Sequence, residues 1–555
     1  MKKNIIKGIT LLAIPALILG ACKKIDVTDG VVEIFNITDS RTNVTFQFVD
    51  AVTGEKLDMN GNEDIQIRLG GQNAEDVTDN FGNKNFGSEY GLLSLAIPGY
   101  LTPSESNIVE FTLHATANGY LPSSTDIVLF DEGLKSITIP MISTSNAPQD
   151  VRLTTDVLSG VSSAGELNAN YTLSPGLSNS GTTAEVNILA GTKLMDKNGI
   201  GVTGNVDVEL AYFDPNGKST FTSLPGDLTR APISSGGYVR FNTIGAISLD
   251  MFAGTKEVKN FDTPIQMTMS IPSGSQKMDG TDIVAGDNLG IYSYDEENSE
   301  WTLESTETVS YNTSTGLLEV TFPMSHLSTW QVAEGEKEPG NLSFNNVTFT
   351  ANCQDYFLNT TNIEISFWYG MSGHYFPWGY KEVARFSFDS PMKIKTGKTS
   401  GPWHWNLFYK WNRKSDTTDV IWGEADYGKN ITVDLPESWC VYDIEKFKIK
   451  LSTYCPDTPN RLSRPSIPVY AVEEGKFFVP GSEKLLGYMK QGELETSTAV
   501  LEKGKKYTLY TIYQFKLVFL TGSLDNFDFG SRLVDGKDID LSRPLTQKEC
   551  AYLKG

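Results

Sequence analysis

Five cysteines carry the most specific chemistry in this 555-residue chain: Cys22, Cys353, Cys440, Cys455 and Cys550. None stands in a Cys-x-x-Cys or mixed Cys/His cluster with the spacing of a metal site, so we expect no bound metal. The last four could close two disulfides, and four cysteines allow three pairings. Cys22 differs from the others because it follows an apolar run directly.

Aromatic side chains form a second group with a possible binding role. Seven of the nine tryptophans lie between Trp368 and Trp439. A domain of about 100 residues has a small core and cannot easily bury all of these rings. Exposed aromatic clusters mark binding surfaces, and indole rings suit sugar rings and protein partners equally; a tryptophan-rich core is the alternative. The candidate binding residues are Trp368, Trp378, Trp403, Trp405 and Trp411.

Other chemical motifs are incomplete or missing from the sequence. Residues 58–64 (DMNGNED) open like a calcium loop, but an EF-hand needs glycine and glutamate where this chain has Glu63 and Leu69. We interpret the segment as a hairpin turn. The sequence has no Gly-x-Ser-x-Gly elbow, HExxH, Walker loop or helix-opening GxGxxG, so we predict a non-enzymatic protein without cofactors.

The composition predicts a folded, all-β protein. Hydrophobic residues make up 39% and charged residues 21%, which is typical of globular chains. Runs of alternating polarity, such as 44–49 and 109–115, are separated by Gly, Asn and Asp clusters and predict antiparallel strands. The net charge of −22 repels phosphate backbones, so nucleic acid is not an expected partner. The predicted fold is a row of tandem antiparallel β-sandwich domains of the Ig-like or prealbumin-like kind.

The N-terminus predicts export. Lys2, Lys3 and Lys7 precede an uncharged apolar run, residues 8–21, which is the pattern of a secretory signal. The run is too short for a membrane-spanning helix, which needs about 20 residues. Residues 19–22 (LGAC) resemble the lipobox of bacterial lipoproteins.

The lipobox resemblance implies that residues 1–21 are a signal peptide, that Cys22 carries the lipid and that residues 22–30 are a tether. The protein would then contact the membrane through its lipid anchor. In lipoproteins of Gram-negative bacteria an Asp after the cysteine commonly marks inner-membrane retention, and Lys23 stands there instead. We therefore expect an outer-membrane location, with the periplasmic or cell-surface face left open.

Two stretches after the tether resemble known sandwich domains. Residues 31–146 contain the phrases 49–54 (VDAVTG) and 117–122 (ANGYLP), which resemble the prealbumin-like, carboxypeptidase-regulatory domains common in Bacteroidota surface proteins. Residues 147–333, with the phrase 191–199 (GTKLMDKNG), resemble the β-sandwich of ZU5 and GAIN-type domains. Both resemblances imply sandwiches of short strands.

The GAIN resemblance also implies a possible self-cleavage site. GAIN domains and some ZU5-like domains cut their own chain within a His-Leu-Ser or related tripeptide, and residues 326–328 read His-Leu-Ser. The resemblance implies that His326 is the base, Ser328 the nucleophile and the Leu327–Ser328 peptide the scissile bond. The alternative is that the tripeptide only ends the last strand of its sandwich.

The last two stretches, 342–444 and 446–555, repeat one pattern. Each contains an alternating strand ending in Cys-x-Asp and a later alternating strand followed by Cys-x-Tyr. Each therefore opens and closes with a cysteine, and the two cysteines of a pair stand 87 and 95 residues apart. The alternative to pairing within each repeat is a bond between Cys440 and Cys455, which would join the two repeats. The repeat favours the disulfides Cys353–Cys440 and Cys455–Cys550.

Together these features predict a non-catalytic, outer-membrane-anchored cell-envelope lipoprotein with an adhesive or ligand-binding role. Its expected ligand is a glycan or a surface protein. The alternatives are an autoproteolytic surface protein cut at the Leu327–Ser328 bond and a glycan-capturing accessory lipoprotein of a nutrient-uptake system. Tandem sandwiches on a tether also predict an extended rod.

Overall fold

The computed structural model consists of β-strands in mainly antiparallel sheets, which confirms the predicted all-β class. It describes residues 31–32, 42–337 and 445–545 with short gaps, and between 343 and 435 it describes the backbone of the strands. The predicted domain limits stay predictions. The short gaps are 59–63, 80–81, 89, 105, 179, 216–222, 227, 229, 466, 478–483, 499, 514–515 and 522–529.

The first unit is a sandwich of two three-stranded sheets. After the short β1 (Val31–Val32), its strands are β2 (Thr42–Asp50), β3 (Gln66–Gly70), β4 (Leu92–Ile97), β5 (Val109–Thr116), β6 (Ser123–Leu129) and β7 (Gly133–Met141), and a 3-10 turn lies at Gly99–Leu101. One sheet has the order β4-β2-β7 and the other β3-β5-β6. Alternating residues such as Phe46, Phe48, Phe111 and Leu113 are buried between the sheets and form the core.

The second unit is a larger sandwich. Its strands are β8 (Val151–Val161), β9 (Tyr171–Leu173), β10 (Ala184–Ile188), β11 (Leu194–Met195), β12 (Gly204–Phe213), β13 (Ala231–Pro232), β14 (Tyr238–Ala253), β15 (Lys256–Glu257), β16 (Asn260–Ile271), β17 (Asn288–Asp295), β18 (Glu300–Thr308), β19 (Ser310–Asn312), β20 (Leu317–His326) and β21 (Thr329–Lys337). The two sheets have the orders β18-β17-β21-β14-β12-β8 and β19-β20-β16-β10-β9. Alternating residues of β12, namely Val206, Val208 and Leu210, are buried between them.

The third unit is described through its backbone. Its strands are β22 (Ser343–Ala351), β23 (Ile363–Met371), β24 (His374–Glu382), β25 (Met392–Thr396), β26 (Trp405–Arg413), β27 (Asp416–Asp426) and β28 (Ile431–Leu435). They form two sheets, β25-β22-β28 and β24-β23-β26-β27. The second of these sheets contains most of the candidate tryptophans.

The fourth unit resembles the third in its connections. Its strands are β29 (Lys446–Cys455), β30 (Thr458–Ser463), β31 (Ile467–Glu473), β32 (Lys484–Met489), β33 (Glu493–Ser497), β34 (Lys506–Tyr513), β35 (Lys516–Phe519), β36 (Arg532–Leu533) and β37 (Ile539–Pro544). One sheet joins β33, β29 and β37, with β30 and β1 on its edge, and the other has the order β32-β31-β34-β35.

One topology recurs in the first, third and fourth units. In each, the first strand pairs in parallel with the last strand and antiparallel with a middle strand; we call the sheet that contains this pair the closing sheet. The remaining strands, apart from β30 on the edge of the fourth unit's closing sheet, pair antiparallel in the opposite sheet, which we call the hairpin sheet. The repeat predicted between the last two units therefore extends to the first unit. The parallel pairs are β2 with β7, β22 with β28, and β29 with β37.

The second unit packs against the hairpin sheet of the first. Alternate residues of β5 point away from the first unit's core, yet His114 is only 7% exposed because the β17–β18 turn covers it. The His114 Nε2 atom lies 2.8 Å from the Ser299 hydroxyl, and its Nδ1 atom lies 2.7 Å from that of Ser124. Arg68 donates a hydrogen bond of 2.6 Å to the Glu296 carbonyl. These contacts fix the second unit on the first.

The fourth unit packs against the closing sheet of the first. The Thr45 and Tyr470 hydroxyls are hydrogen-bonded, and the buried Lys56 ammonium donates to the Phe477 carbonyl at 3.3 Å. These contacts join residues more than 400 positions apart in the sequence, so the predicted extended rod is wrong. Apolar residues fill this interface, namely Leu92 from the first unit and Tyr470, Val472, Phe477, Tyr510, Ile512 and Phe519 from the fourth.

The buried imidazole at the first of these interfaces predicts a pH dependence of stability. Burial, with a smaller contribution from Arg68, lowers the pKa of His114 to about 3. The unfolded chain binds the proton from about pH 6.5 downward, so this group's contribution is complete above that pH and is lost as the pH falls towards 3. We expect His114 alone to remove about 2 kcal/mol of unfolding free energy between pH 7 and pH 5.

Urea unfolding of wild type and His114→Gln at pH 7 and pH 5 measures this effect. The variant should show a smaller loss on acidification, although it is less stable at pH 7. Equal losses in wild type and His114→Gln would contradict the assignment.

Candidate functional site

Several residues chosen from the sequence lie outside the described residues. They are the lipidation candidate Cys22, the cysteines Cys353, Cys440 and Cys550, and Trp403. Their predicted roles stay predictions. The other candidates lie on described strands or turns, where their positions can be compared.

Three candidate tryptophans share one face of the third unit's hairpin sheet. Residues opposite each other in a sheet lie on the same face, and faces alternate along each strand. Trp405 is opposite Met371, and Trp411 is opposite Ile365. Trp378 is opposite Tyr369, which lies two residues from Met371 on the same strand and therefore on the same face. The same face carries the apolar positions Ile363, Phe367, Leu407 and Ile421. Sharing a face with apolar positions is what the alternative of a tryptophan-rich core requires of these three residues.

Trp368 lies on the other face. Phe408 is its partner on the neighbouring strand, and Trp422 lies one strand further, opposite Lys410. We call Trp368, Phe408 and Trp422 the aromatic stripe. The other positions that the pairings place on this face are mostly hydrogen-bonding or charged residues, with one glycine and one valine: Glu364, Ser366, Gly370, Glu382, Asn406, Lys410, Asn412, Val420, Glu424 and Asp426.

The aromatic stripe crosses three adjacent strands, β23, β26 and β27. Neighbouring strands are about 4.8 Å apart, so the stripe extends over roughly 10 Å across the sheet. Phe408 and Trp422 were not chosen from the sequence, because the face of a residue depends on the register between strands that are distant in the chain. The sequence shows the alternation of polarity along each strand, but it does not show the register between neighbouring strands.

The hairpin sheets of the first and fourth units show what an outer face contacts in this topology. In the fourth unit, the row Tyr470, Tyr510 and Phe519 crosses the equivalent strands and packs against the first unit. In the first unit, the outer face of the hairpin sheet carries His114 and packs against the second unit. In the first and fourth units, whose side chains the structure describes, the outer face of the hairpin sheet is therefore a contact surface.

The His-Leu-Ser tripeptide connects the two sheets of the second unit, because β20 ends at His326 and β21 begins at Thr329. The His326 Nε2 atom lies 3.3 Å from a Glu304 carboxylate oxygen, and the Ser328 hydroxyl donates to the Tyr294 carbonyl. Cleavage would require the His326 imidazole to accept the proton of the Ser328 hydroxyl, but each of these side chains contacts a different group. None of the three residues has a positive φ. The arrangement fits a strand connection, and autoproteolysis stays an untested alternative.

The segment 58–64 is described only at its ends. Asp58 and Asp64 both have positive φ, 56° and 44°, which is the backbone of a tight turn. The Asp64 carboxylate accepts a hydrogen bond of 2.9 Å from Gln66. Within the described part of the chain, no group of three or more His, Cys, Asp or Glu residues is arranged to hold a metal ion.

The cysteine pairs follow the parallel strands of the closing sheets. Cys455 ends β29, is 5% exposed and is disulfide-bonded. Its neighbour Tyr454 is opposite Pro544 on β37, six residues before Cys550. In the third unit, Ala351 is opposite Leu435, and the two cysteines of that unit come soon after these positions. This placement supports a bond within each repeat, and the pairing itself stays a prediction.

Comparisons with known proteins do not identify a family. No family model and no curated protein matches the chain. Among solved structures, BcpA, the major pilin subunit of Bacillus cereus, is 11% identical over 90% of this chain and 99% of that chain, with a TM-score of 0.14. The Bacillus anthracis TIE protein is 9% identical over 72% and 75%, with a TM-score of 0.13. Scores this low carry no argument about function.

A membrane-spanning helix is not found in the described part of the chain, where no helix is both long and apolar enough. The sequence prediction of anchoring through lipid on Cys22 concerns residues outside that part. It stays a prediction.

Peptide mapping under non-reducing conditions tests the predicted disulfides. We expect the Cys455 peptide to be linked to the Cys550 peptide, since both follow one end of adjacent parallel strands. Removing this bond with Cys455→Ser and Cys550→Ser should lower the unfolding free energy by about 4–5 kcal/mol if the native geometry is unstrained. Recovery of a Cys440–Cys455 peptide would contradict pairing within each repeat.

Proposed function

We propose that this chain is a non-catalytic cell-envelope lipoprotein that binds an external ligand through the aromatic stripe. The observation that carries the proposal is the position of Trp368, Phe408 and Trp422 on one polar face of the third unit's hairpin sheet. Aromatic residues grouped on a polar surface are the usual anchors of binding interfaces.

The equivalent faces of the other units support a binding role. The first and fourth units use the outer faces of their hairpin sheets to pack against other parts of the same chain. The third unit is joined to the second unit after Lys337 and to the fourth unit before Lys446, and these two units both contact the first. A contact surface of this kind on a module held at both ends suits recognition of a separate molecule.

The described chemistry favours binding over catalysis. Ser328 donates its hydroxyl hydrogen to a backbone carbonyl, and His326 faces a carboxylate rather than this serine. His114 is nearly inaccessible and stays neutral at physiological pH because its pKa is lowered to about 3. Neither histidine is placed to activate a nucleophile for an external substrate.

The proposed location follows from the sequence. A lipid on Cys22 and a tether of residues 22–30 would attach the sandwiches to the outer membrane. Two chemical classes of ligand suit the aromatic stripe, a glycan or a surface protein. A glycan would fit the narrower role of an accessory lipoprotein that captures nutrients.

Attachment of cells that display the full chain tests the proposal. We expect cells with the double variant Trp368→Ala and Trp422→Ala to attach to glycan-coated and protein-coated surfaces about thirtyfold less than wild type, because truncating two anchors removes more than 1 kcal/mol each. The matched control is the double variant Tyr100→Ala and Tyr311→Ala, which removes two aromatic rings that are 72% and 57% exposed on other units.

The control cells should attach like wild type. Cys22→Ser should abolish attachment, because the protein is no longer held on the cell, while the purified variant keeps its ligand binding. Wild-type attachment by cells carrying the Trp368/Trp422 double variant would contradict the proposed role of the aromatic stripe.

A further inference from the structure

We infer that the contact between the first and fourth units is a reversible latch, which opens while both sandwiches stay folded and uncovers an aromatic face of the fourth unit. We call Tyr470, Tyr510 and Phe519, which this contact buries, the covered row. The latch lies apart from the aromatic stripe and does not depend on the proposed function. Three features support it: the polarity of the two faces, the bonds that join them, and the stronger contact between the first and second units.

The two faces that meet at the latch differ in polarity. The fourth unit supplies six apolar or aromatic residues to the buried cluster, including the covered row. The first unit supplies Leu92 to this cluster, with Tyr90 partly buried against it. Beside Leu92, the outward positions of β2 and β4 are Thr45, Gln47 and Ser94. An antiparallel sheet face with such polar side chains is stable in water, so separating the units exposes apolar area mainly on the fourth unit.

The polar bonds across the latch have neutral acceptors. The Tyr470 hydroxyl is hydrogen-bonded to the hydroxyls of Thr45 and Ser94. The Lys56 ammonium donates to the Phe477 carbonyl at 3.3 Å and lies 5.0 Å from the centre of the Phe477 ring. Water can replace each of these bonds when the units separate, so each adds little net free energy to the closed state.

The strand β1 is a second connection between the same two units. It precedes β2 of the first unit and pairs in parallel with β30 on the edge of the fourth unit's closing sheet. The ladder consists of two residue pairs, Val31 with Leu462 and Val32 with Ser463. A ladder this short frays at a low free-energy cost, so β1 does not prevent the latch from opening.

The contact of the first unit with the second unit is stronger. Its apolar cluster contains sixteen buried residues, against seven at the latch, and Leu121 and Ile142 of the first unit are among them. Arg230 is 8% exposed and forms an ion pair with Glu110 at 2.5 Å, and the Tyr238 hydroxyl donates to the same carboxylate at 2.8 Å. Charge-assisted hydrogen bonds are about twice as strong as neutral ones. The first unit therefore stays on the second when the latch opens.

The latch covers a surface that differs in kind from an ordinary exposed face. The covered row crosses three adjacent strands, β31, β34 and β35, and the Tyr470 and Tyr510 rings are stacked with their centres 5.3 Å apart. Clustered aromatic rings on a protein surface mark contact sites. The closed latch keeps these rings from other molecules, so it acts as an autoinhibitory contact in which the first unit is the occupant.

Fluorescence energy transfer between the two units of the full mature chain tests the latch. Dyes attached at positions 100 and 533, which are 72% and 54% exposed, report the separation of the units during a urea titration. Hydrogen exchange of peptides from β5 and β29 reports whether the first and fourth sandwiches stay folded. We expect energy transfer to fall at a urea concentration at which both peptides are still protected from exchange.

Variants at the latch should shift this opening. Tyr470→Phe removes the hydroxyl that bonds across the contact and should raise the ratio of open to closed chains about fivefold. Leu92→Ala removes the first unit's apolar contribution and should raise the ratio about tenfold. The matched control is Tyr507→Phe, because the Tyr507 hydroxyl accepts a hydrogen bond of 3.2 Å from the Glu502 amide inside the fourth unit. This control should leave the ratio unchanged.

Two results would overturn the inference. If energy transfer persists until the β29 peptide loses its protection, the fourth unit leaves the first only by unfolding, and the contact is not a latch. If Tyr470→Phe and Tyr507→Phe change the ratio equally, the opening does not depend on the bonds across the contact. Both measurements are independent of cell attachment, which tests the aromatic stripe separately.

Discussion

The parallel pairing of the first and last strands is the interaction on which each repeated unit depends. It brings the two ends of a unit together in the closing sheet and leaves the other strands to form the hairpin sheet opposite. In the first unit, the pairing continues into a hydrogen bond from the Ala51 amide to the Met141 carbonyl. In the third and fourth units, cysteines follow the same strand ends. Because the closing sheet defines the inner side of the hairpin sheet, it also determines which face of that sheet is available for contact.

The outer faces of the sheets explain how the units come together. The first unit lies between the second and the fourth, and both of its sheets are covered on the outside. This is why all nine residues of β2 are buried, including the polar Thr45 and Gln47 that alternate with its core residues. The same arrangement lowers the pKa of His114. Contact through outer faces therefore recurs in the described units of the chain.

Local patterns in the sequence predicted the strands, but not the contacts between them. The alternation at 109–115 predicted β5, and the repeat of the Cys-x-Asp and Cys-x-Tyr phrases predicted the related third and fourth units. The sequence placed Trp368 and Trp411 in one candidate group, whereas the register puts them on opposite faces. The packing of the fourth unit on the first was also missed, because it depends on side chains more than 400 residues apart, such as Thr45 and Tyr470. Pairing and packing between distant segments are properties of the folded chain that local polarity does not encode.

Hydroxyl-radical footprinting of the full mature chain tests the central claim most directly. In this method, hydroxyl radicals generated in the solvent oxidise each tryptophan of the folded protein at a rate that depends on the solvent exposure of its side chain. The division of faces predicts fast oxidation of Trp368 and Trp422, and slow oxidation of Trp378, Trp405 and Trp411. Faster oxidation of Trp405 and Trp411 than of Trp368 and Trp422 would contradict it.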